Sequence, residues 1–243
     1  MRRTLFDWFS PELNRKMEVA RFGEAGRPVV LFPTAGGDYL ECERFRLIEV
    51  CAPLIEAGRV RIYTCGSISG EGWLDSKAPP WHKSWLQSRF DQYLVSGLVP
   101  FIRGDVGDPE ARLVGVGASL GAYNAVNAAC RHPDLFSLTI AMSGTYDFDR
   151  WMSGYRDDNY VQNQPFYYLP NLSSGPTLDW LRRSRIHLAS GQGRWEAPWE
   201  SVRLGQMLGA RGIPNYVDLW GKDVDHDWPT WRTMLPMFLD RLV

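Results

Sequence analysis

Short apolar runs alternate with helix-compatible segments along the 243-residue chain, and this alternation constrains the fold more than any other feature. The apolar runs predict strands at residues 17–23, 27–34, 59–65, 111–118, 135–144, 184–191 and 214–221. Helices are predicted at residues 42–57, 84–103, 120–131, 199–211 and 229–242. Strands that alternate with helices build βαβ units, so the predicted fold class is α/β: a mostly parallel central sheet with helices on both faces. Ligands bind such sheets at the carboxyl ends of the strands, where we expect the functional residues.

Length and composition indicate one globular domain, residues 1–243. The net charge of −1 creates no basic field, so neither nucleic acid nor an anionic membrane surface is expected as a partner. The N-terminal sequence MRRTLFDWFS lacks the apolar segment of a signal peptide, and no run approaches the ~18 apolar residues of a membrane span. The expected location is therefore cytoplasmic. The four cysteines form no C-x-x-C pair and are predicted to be buried free thiols: Cys42, Cys51, Cys65 and Cys130.

Residues 145–183 interrupt the alternation. This segment is rich in aromatic, Asp, Asn and Pro residues, and it is predicted to be an insertion over the strand ends, a lid or pocket wall. A surface loop without a role is the alternative. The chain also has 11 tryptophans, and the ones that fall in apparent loops are expected either in the core or in pocket walls: Trp73, Trp81, Trp85, Trp151, Trp195, Trp199 and Trp228.

Residues 117–121, GASLG, form a G-x-S-x-G pattern between a predicted strand and a predicted helix. Flanking glycines are what a sharp strand–turn–helix requires, because a Cβ at either position would clash. Ser119 is therefore a candidate nucleophile, and the N–H of Leu120 at the helix N-terminus is a candidate oxyanion donor. The alternative is that Ser119 only caps the helix.

A nucleophilic serine needs a base, and the chain has four histidines. His226 is the candidate, because it follows the last predicted strand and precedes the last helix. His82, in a loop ahead of a helix, is the alternative. His132 at a helix end is expected to cap, and His187 within a strand is expected to pack against one face.

The acid that orients the base is expected after the strand at residues 184–191. Glu196 lies in that loop and is the candidate. Glu200 is expected in the first turn of the next helix, where the helix dipole accounts for it. Asp223 and Asp225, which neighbour His226, are the alternatives, and Asp227 lies close to them in sequence.

The second oxyanion donor is expected from the loop after the buried strand at residues 27–34. The sequence LFPTAGGDY has small residues there that let the backbone approach a ligand. The N–H of Ala35 is the first candidate and that of Gly36 the next. A flexible turn without a role is the alternative.

These stretches together resemble the α/β-hydrolase superfamily, and more narrowly the putative-esterase family that includes S-formylglutathione hydrolase, enterochelin esterase and the mycolyltransferases. The matching pieces are LFPTAGGD, GASLGAYNAVNAACRHPDLF, MSGTYD, GIPNYVDLWG and HDWPTW. The resemblance implies a three-layer α/β-hydrolase sandwich with Ser119 as nucleophile, His226 as base, and Leu120 and Ala35 as oxyanion donors. Two features depart from the family: Glu196 stands where such enzymes often carry Asp, and Thr34-Ala35 replaces a His-Gly pair.

The predicted function is a serine esterase that cleaves a carboxylic ester or thioester through an acyl-Ser119 intermediate. Acyl transfer to an alcohol is an alternative, and so is a non-catalytic binding protein on the same fold. No cluster of side chains has metal-ligand spacing, so no metal or cofactor is predicted. The predicted partner is a small-molecule ester or thioester. A homo-oligomer is possible through an exposed edge strand near residue 17.

Overall fold

An eight-stranded mixed sheet forms the centre of the protein, in a computed structural model that describes residues 1–243. Its strands run in the order β1-β2-β4-β3-β5-β6-β7-β8. Their bounds are β1 Arg3–Ser10, β2 Arg15–Phe22, β3 Arg27–Phe32, β4 Val60–Cys65, β5 Leu113–Ala118, β6 Phe136–Met142, β7 Arg185–Ser190 and β8 Asn215–Leu219. Strands β3 to β8 pair in parallel, whereas β1 and β2 are antiparallel. The predicted α/β class with a mostly parallel sheet is confirmed.

Helices cover the sheet. Their bounds are α1 Glu41–Arg44, α2 Leu47–Val50, α3 Ala52–Glu56, α4 Pro80–Tyr93, α5 Val99–Val106, α6 Leu120–Arg131, α7 Asp149–Met152, α8 Asp158–Asn163, α9 Pro165–Tyr168, α10 Pro176–Leu181, α11 Pro198–Ala210 and α12 Trp228–Leu242. A π-helical turn, Leu94–Leu98, joins α4 to α5, and a 3₁₀ turn, Leu169–Asn171, follows α9. None of these helices combines the length and the hydrophobicity that a membrane span requires.

Buried apolar side chains form three clusters. One lies between the sheet and α12 and includes Trp231 and Phe238. The second packs α4 and α5 against the sheet, with Phe90 and Tyr93 fully buried. The third surrounds α6 and takes in aromatic side chains from residues 145–183. Strand β5 lies between these clusters and is buried on both faces, as its unbroken apolar sequence predicts.

The predicted edge strand at residues 17–23 is wrong in its position. This segment is β2, which pairs with β1 on one side and β4 on the other. The edge is β1, which the sequence analysis did not predict as a strand. Most of its residues are exposed or half-buried, so it lacks the apolar run by which the other strands were found.

The helix predicted over residues 42–57 is three short helices, α1 to α3. Arg46 adopts a left-handed conformation, with φ of 66°, and this ends the first helix. Residues 145–183 contain α7 to α10 rather than an irregular excursion, and their aromatic side chains Tyr146, Phe148 and Tyr160 are fully buried. A surface loop would leave these rings in water.

All four cysteines are free and buried, as predicted. Burial raises the pKa of the Cys51, Cys65 and Cys130 thiols to about 12. At neutral pH these sulfurs are therefore protonated and poorly nucleophilic.

Candidate active site

Ser119 lies on a sharp turn between β5 and α6. Its backbone has φ of 57° and ψ of −124°, a conformation that L-residues with a side chain rarely adopt. Such strain costs about 1–3 kcal/mol and persists only where the surroundings enforce it. A Cβ on Gly117 would lie 2.2 Å from the Gly121 backbone, and one on Gly121 would lie 2.5 Å from the carbonyl oxygen of Phe32. Both glycines are therefore required, as the pattern predicted.

The hydroxyl of Ser119 does not cap α6, although the residue occupies the N-cap position. The Ser119 N–H donates to the Met142 carbonyl at 3.0 Å, which ties the turn to the end of β6. Ser119 is partly exposed, while Ala118 and Leu120 on either side are buried. A strained serine with an uncapped, accessible hydroxyl argues against the helix-cap interpretation.

His226 and Glu196 lie beside each other. The distance from His226 Nδ1 to Glu196 Oε2 is 3.7 Å, which is longer than a hydrogen bond. Catalytic hydrogen bonds are often long in the free enzyme and shorten when substrate binds. The His226 N–H donates to the Arg194 carbonyl at 3.0 Å, and its ring lies edge-on to Trp231 with centroids 5.1 Å apart.

Two serine hydroxyls surround the Glu196 carboxylate, which is only 8% exposed. Ser143 donates to Oε1 at 2.6 Å and Ser190 donates to Oε2 at 3.0 Å. The indole N–H of Trp231 donates to the Ser143 hydroxyl at 3.0 Å and so fixes its orientation. Burial by itself would raise the pKa of Glu196, but His226 and the two hydroxyls outweigh it, and the pKa lies below its usual value. Glu196 is therefore held as an anion.

The alternative acids have other partners. Asp225 accepts hydrogen bonds from the N–H of Arg194 at 2.7 Å and from its guanidinium at 2.8 Å. Asp227 caps α12 by accepting from the Trp228 N–H, and Asp223 is exposed. Of the predicted acids, the structure places Glu196 against His226.

Glu200 lies in the first turn of α11, as predicted, but the helix dipole does not fully account for it. Its buried carboxylate accepts hydrogen bonds from the N–H groups of Tyr146 and Asp147, the latter at 2.9 Å. Burial raises its pKa. Glu200 therefore anchors the start of the 145–183 segment.

The remaining histidines lie in structural settings. His132 is the C-cap residue of α6, and its Nε2 lies 3.0 Å from Asp91. His187 packs within β7 against Phe238, and burial lowers its pKa. His82 lies on α4, where its ring stacks on Trp85 with centroids 5.6 Å apart.

The loop after β3, residues 33–38, is called the oxyanion loop below, after the role predicted for it from the sequence. The Thr34 N–H and hydroxyl both donate to Glu41, each at 2.7 Å, and the Gly37 N–H donates to the Thr34 carbonyl at 3.3 Å. The N–H groups of Ala35 and Gly36 donate to no acceptor within the chain. Because Gly121 packs against the Phe32 carbonyl, this loop lies beside the N-terminus of α6, where the N–H groups of Leu120 and Gly121 have no acceptor.

A cleft of about 450 Å³ adjoins the oxyanion loop, at the ends of β2 and β4. It is lined by residues that include Arg15, Gly36, Gly37, Tyr39 and Ser67. Arg15 is paired with Glu71 at the rim.

The expectation that these tryptophans lie in loops is wrong for most of them. Helices α4 and α12 have proline at the first or second position and begin before the residues predicted, so they include Trp81 and Trp228. Trp85 and Trp199 lie in α4 and α11, within residues that were already predicted to be helical. Trp151 lies in α7. Trp73 is in the core, where its N–H donates to Gln87 at 3.0 Å, whereas Trp195 is 86% exposed.

Comparison with known proteins identifies the family and the fold. The family model described as Putative esterase matches residues 73–242, well over half of the chain. A ferulic acid esterase has the same fold, with a TM-score of 0.75 at 18% identity over 100% of this chain and 99% of its own. Fluorophosphonate-binding serine hydrolase F of Staphylococcus aureus gives a TM-score of 0.73 at 13% identity, over 99% of this chain and 97% of its own. The S-formylglutathione hydrolase of Agrobacterium tumefaciens gives a TM-score of 0.68 at 15% identity, over 98% of this chain and 92% of its own. A search of curated proteins finds no match.

The sheet order, the strained serine turn and these matches define an α/β-hydrolase of the carboxylic ester hydrolase class. The chain belongs to the esterase family that the matching model describes. The family resemblance and the α/β-hydrolase fold predicted from the sequence are thereby confirmed.

Sequence reasoning did not identify four residues that support the site: Ser143, Ser190, Trp231 and Glu41. Ser143 follows β6 and Ser190 ends β7, in the sequences MSG and ASG, and serine at the carboxyl end of a parallel strand was the available signal. Trp231 and Glu41 lie in helices, where nothing in the sequence shows which way a side chain points.

Proposed function

We propose that this esterase uses Ser119, His226 and Glu196 as a catalytic triad and passes through an acyl-Ser119 intermediate. The observation that carries the proposal is the Glu196–His226 pair, found on the same sheet edge as a strained serine with a free hydroxyl. Glu196 is fixed by two hydroxyls and held as an anion, so it can orient the imidazole and stabilise it when it becomes charged.

In the first half of the reaction, Ser119 Oγ attacks the carbonyl carbon of the ester while His226 takes the hydroxyl proton. The N–H groups of Leu120 and Ala35 stabilise the oxyanion of the tetrahedral intermediate. The bond to the leaving oxygen or sulfur then breaks, and His226 protonates that atom. In the second half, water gives its proton to His226 and attacks the acyl carbon, and the proton returns to Ser119 as the acid departs.

The acyl and leaving groups are proposed to occupy opposite sides of Ser119. The cleft beside the oxyanion loop has room for a leaving group. We place the other wall in residues 145–183, the predicted lid, because its Phe148 packs on Tyr123 of α6, the helix that begins after Ser119, with ring centroids 4.3 Å apart. Both would belong to a single domain spanning residues 1–243. The cytoplasmic location and the homo-oligomer stay predictions.

A fluorophosphonate probe tests the nucleophile directly. We expect mass spectrometry to find one adduct on Ser119 of the folded protein, and none in Ser119→Ala. Hydrolysis of p-nitrophenyl esters should fall at least about 10⁴-fold in that variant. Absence of the adduct from wild type, or full activity in Ser119→Ala, would contradict the proposal.

A substrate panel tests the pocket. p-Nitrophenyl esters of rising chain length measure the acyl side, and a ferulate ester and S-formylglutathione represent the compounds for which two structural neighbours are named. Acyl transfer would use the same intermediate with an alcohol in place of water. Analysis of products formed with added alcohol distinguishes the two, because transfer yields a new ester.

A further inference from the structure

One buried carboxylate is not used by the mechanism above. Glu41 is the first residue of α1, and it is 6% exposed. Its Oε2 accepts the Thr34 N–H and its Oε1 accepts the Thr34 hydroxyl, each at 2.7 Å. Both oxygens therefore bind the same residue, one position before the candidate oxyanion donor Ala35.

The contact with Gly37 extends this support across the turn. A Cβ on Gly37 would lie 2.4 Å from the carboxyl carbon of Glu41, so only glycine admits the carboxylate at this distance. Glu41 thus contacts both ends of the four residues Thr34 to Gly37.

Glu41 also binds one of the N–H groups of the loop. The Thr34 N–H is bound to Glu41 and the Gly37 N–H to the Thr34 carbonyl, which leaves those of Ala35, Gly36 and Asp38 without an acceptor. An oxyanion hole requires unpaired donors at fixed positions. The hydrogen bonds from Thr34 to Glu41 fix the backbone of the loop, and the N–H groups that remain unpaired can act as the donors.

A general stabilising role does not account for a carboxylate at this place. Helix α1 has only four residues, so its dipole offers little to an acid in the first turn. Burying a charged group is unfavourable, and at this position the cost is offset by one N–H and one hydroxyl, both from Thr34. A carboxylate has two acceptor oxygens on one rigid group, which suits it to hold one backbone N–H and one hydroxyl together.

We propose that Glu41 is a positioning residue for ester hydrolysis: it holds Thr34 so that the Ala35 N–H points at the oxyanion formed at Ser119. The proposal rests on the triad mechanism proposed above. It assigns Glu41 no contact with substrate, so its removal affects transition-state stabilisation more than substrate binding.

The test compares Glu41→Ala, Glu41→Gln and the matched control Glu43→Ala. We expect Glu41→Ala to lower kcat about 10- to 100-fold, with KM changed less than about 3-fold, because a donor displaced by ~1 Å loses much of its effect. Glu41→Gln should stay within about 5-fold of wild type, since the amide oxygen can accept the Thr34 N–H and the amide nitrogen can donate to the Thr34 hydroxyl. Glu43 lies in the same helix and pairs with Arg3 at 2.8 Å, so its removal should leave kcat unchanged.

Activity is expressed per active site, counted by complete fluorophosphonate labelling, so that misfolded protein does not contribute. Thr34→Val and Thr34→Ser give a second test that does not depend on the folding of Glu41→Ala. Valine removes only the hydroxyl bond and should lower kcat about 3- to 10-fold, while serine should restore it.

Three results would overturn the proposal: wild-type kcat per site in Glu41→Ala, equal losses in Glu41→Gln and Glu41→Ala, or wild-type kcat in Thr34→Val. These differ from a failure of the triad mechanism, in which wild type itself would show no adduct on Ser119. In that case both proposals fall together.

Discussion

Two strand-end loops of this esterase each depend on a buried glutamate, yet the two carboxylates differ in charge environment. Residues 191–197, the acid loop after β7, contain Glu196, and the oxyanion loop after β3 is held by Glu41. Their exposed fractions are 8% and 6%. The pKa of Glu196 is lowered, whereas burial raises that of Glu41 despite its bonds to Thr34.

The difference lies in the donors. Glu196 receives two hydroxyl hydrogen bonds and faces a base that becomes cationic during the proposed reaction, so its charge is stabilised. Glu41 receives one N–H and one hydroxyl, both from Thr34, and no imidazole faces it. Burial raises its pKa and Asp38 adds to the rise, and together they outweigh Thr34 and Arg44, which lower it. Although the two carboxylates are equally buried, Glu196 is suited to stabilise a cationic imidazole, whereas Glu41 is suited to hold the backbone of its loop in place.

Among variants of the two loops, the largest loss of kcat is expected when the negative charge of Glu196 is removed. Glu196→Gln should lower kcat roughly 10³- to 10⁴-fold, because a neutral amide neither orients the imidazole correctly nor stabilises its cation. Hydrolysis of a short p-nitrophenyl ester measures it. Asp225→Asn is the control, since Asp225 is occupied by Arg194, and it should stay within about 3-fold of wild type. A greater loss in Asp225→Asn would assign the acid to that residue.

A smaller loss is expected when one donor to Glu196 is removed. Ser143→Ala deletes the hydroxyl that bonds Oε1 and leaves the Trp231 N–H without its acceptor. Hydrogen bonds to charged groups contribute about 1.5–3 kcal/mol, so we expect the free energy of unfolding to fall by about that amount and kcat by about 10-fold. Ser190→Ala should lower both quantities less, because the Ser190 hydroxyl shares its proton between Glu196 and the Gly191 carbonyl, which lies 2.9 Å away. Urea unfolding and steady-state kinetics test the order of the two, and the reverse order would contradict it.

The two glutamates should also respond oppositely to pH. Glu196 has a lowered pKa in the folded protein, so its ionised form stabilises the fold above the unfolded pKa of ~4.3, and that contribution is lost as the pH falls through the folded pKa. Glu41 has a raised pKa, so its ionisation opposes folding as the pH rises from that same unfolded value through the folded pKa. We therefore expect the free energy of unfolding of Glu196→Gln, relative to wild type, to decrease between pH 4 and pH 7. That of Glu41→Gln, relative to wild type, should increase over the same range. Urea midpoints at both values measure the two trends, and trends of the same sign would refute the contrast.

The smallest effect is expected at the tip of the acid loop. Trp195 adopts a left-handed conformation, with φ of 66°, and its side chain is 86% exposed. Trp195→Gly should relieve the backbone strain and raise the free energy of unfolding by up to about 1 kcal/mol, with kcat unchanged for small esters. Thermal unfolding and the same ester assay measure it, and a loss of kcat would mean that the indole takes part in catalysis.

Local sequence patterns predicted the features that depend on local structure. The buried strands β3 and β5 have continuous apolar runs, and the Ser119 turn needs glycine on both sides, so these features were predicted from a few adjacent residues. Helix α6 was placed at residues 120–131, where the structure has it. The candidates Glu196 and His226 followed from chain order in a parallel sheet, and the structure brings them within 3.7 Å.

The features that sequence could not predict depend on contacts between distant segments or on backbone conformations without a clear pattern. Trp231 reaches Ser143 across 88 positions of the chain, and nothing near either residue signals the contact. The left-handed Arg46 divides the predicted helix at 42–57, although arginine has no preference for that conformation. Glu41 resembles any first-turn acid until its carboxylate is seen to bind Thr34.

The burial of every cysteine has a practical consequence for following the motions of this enzyme. Because each thiol is enclosed and protonated, alkylating reagents can react only when the surrounding segment opens. Cys130 lies in the cluster around α6, whereas Cys42 lies in α1, next to Glu41, and Cys51 lies between α2 and α3. The modification rate of Cys130 would measure opening of the region around α6, and the rates of Cys42 and Cys51 would measure opening of the region of α1 to α3. Neither measurement needs a label added to the native chain.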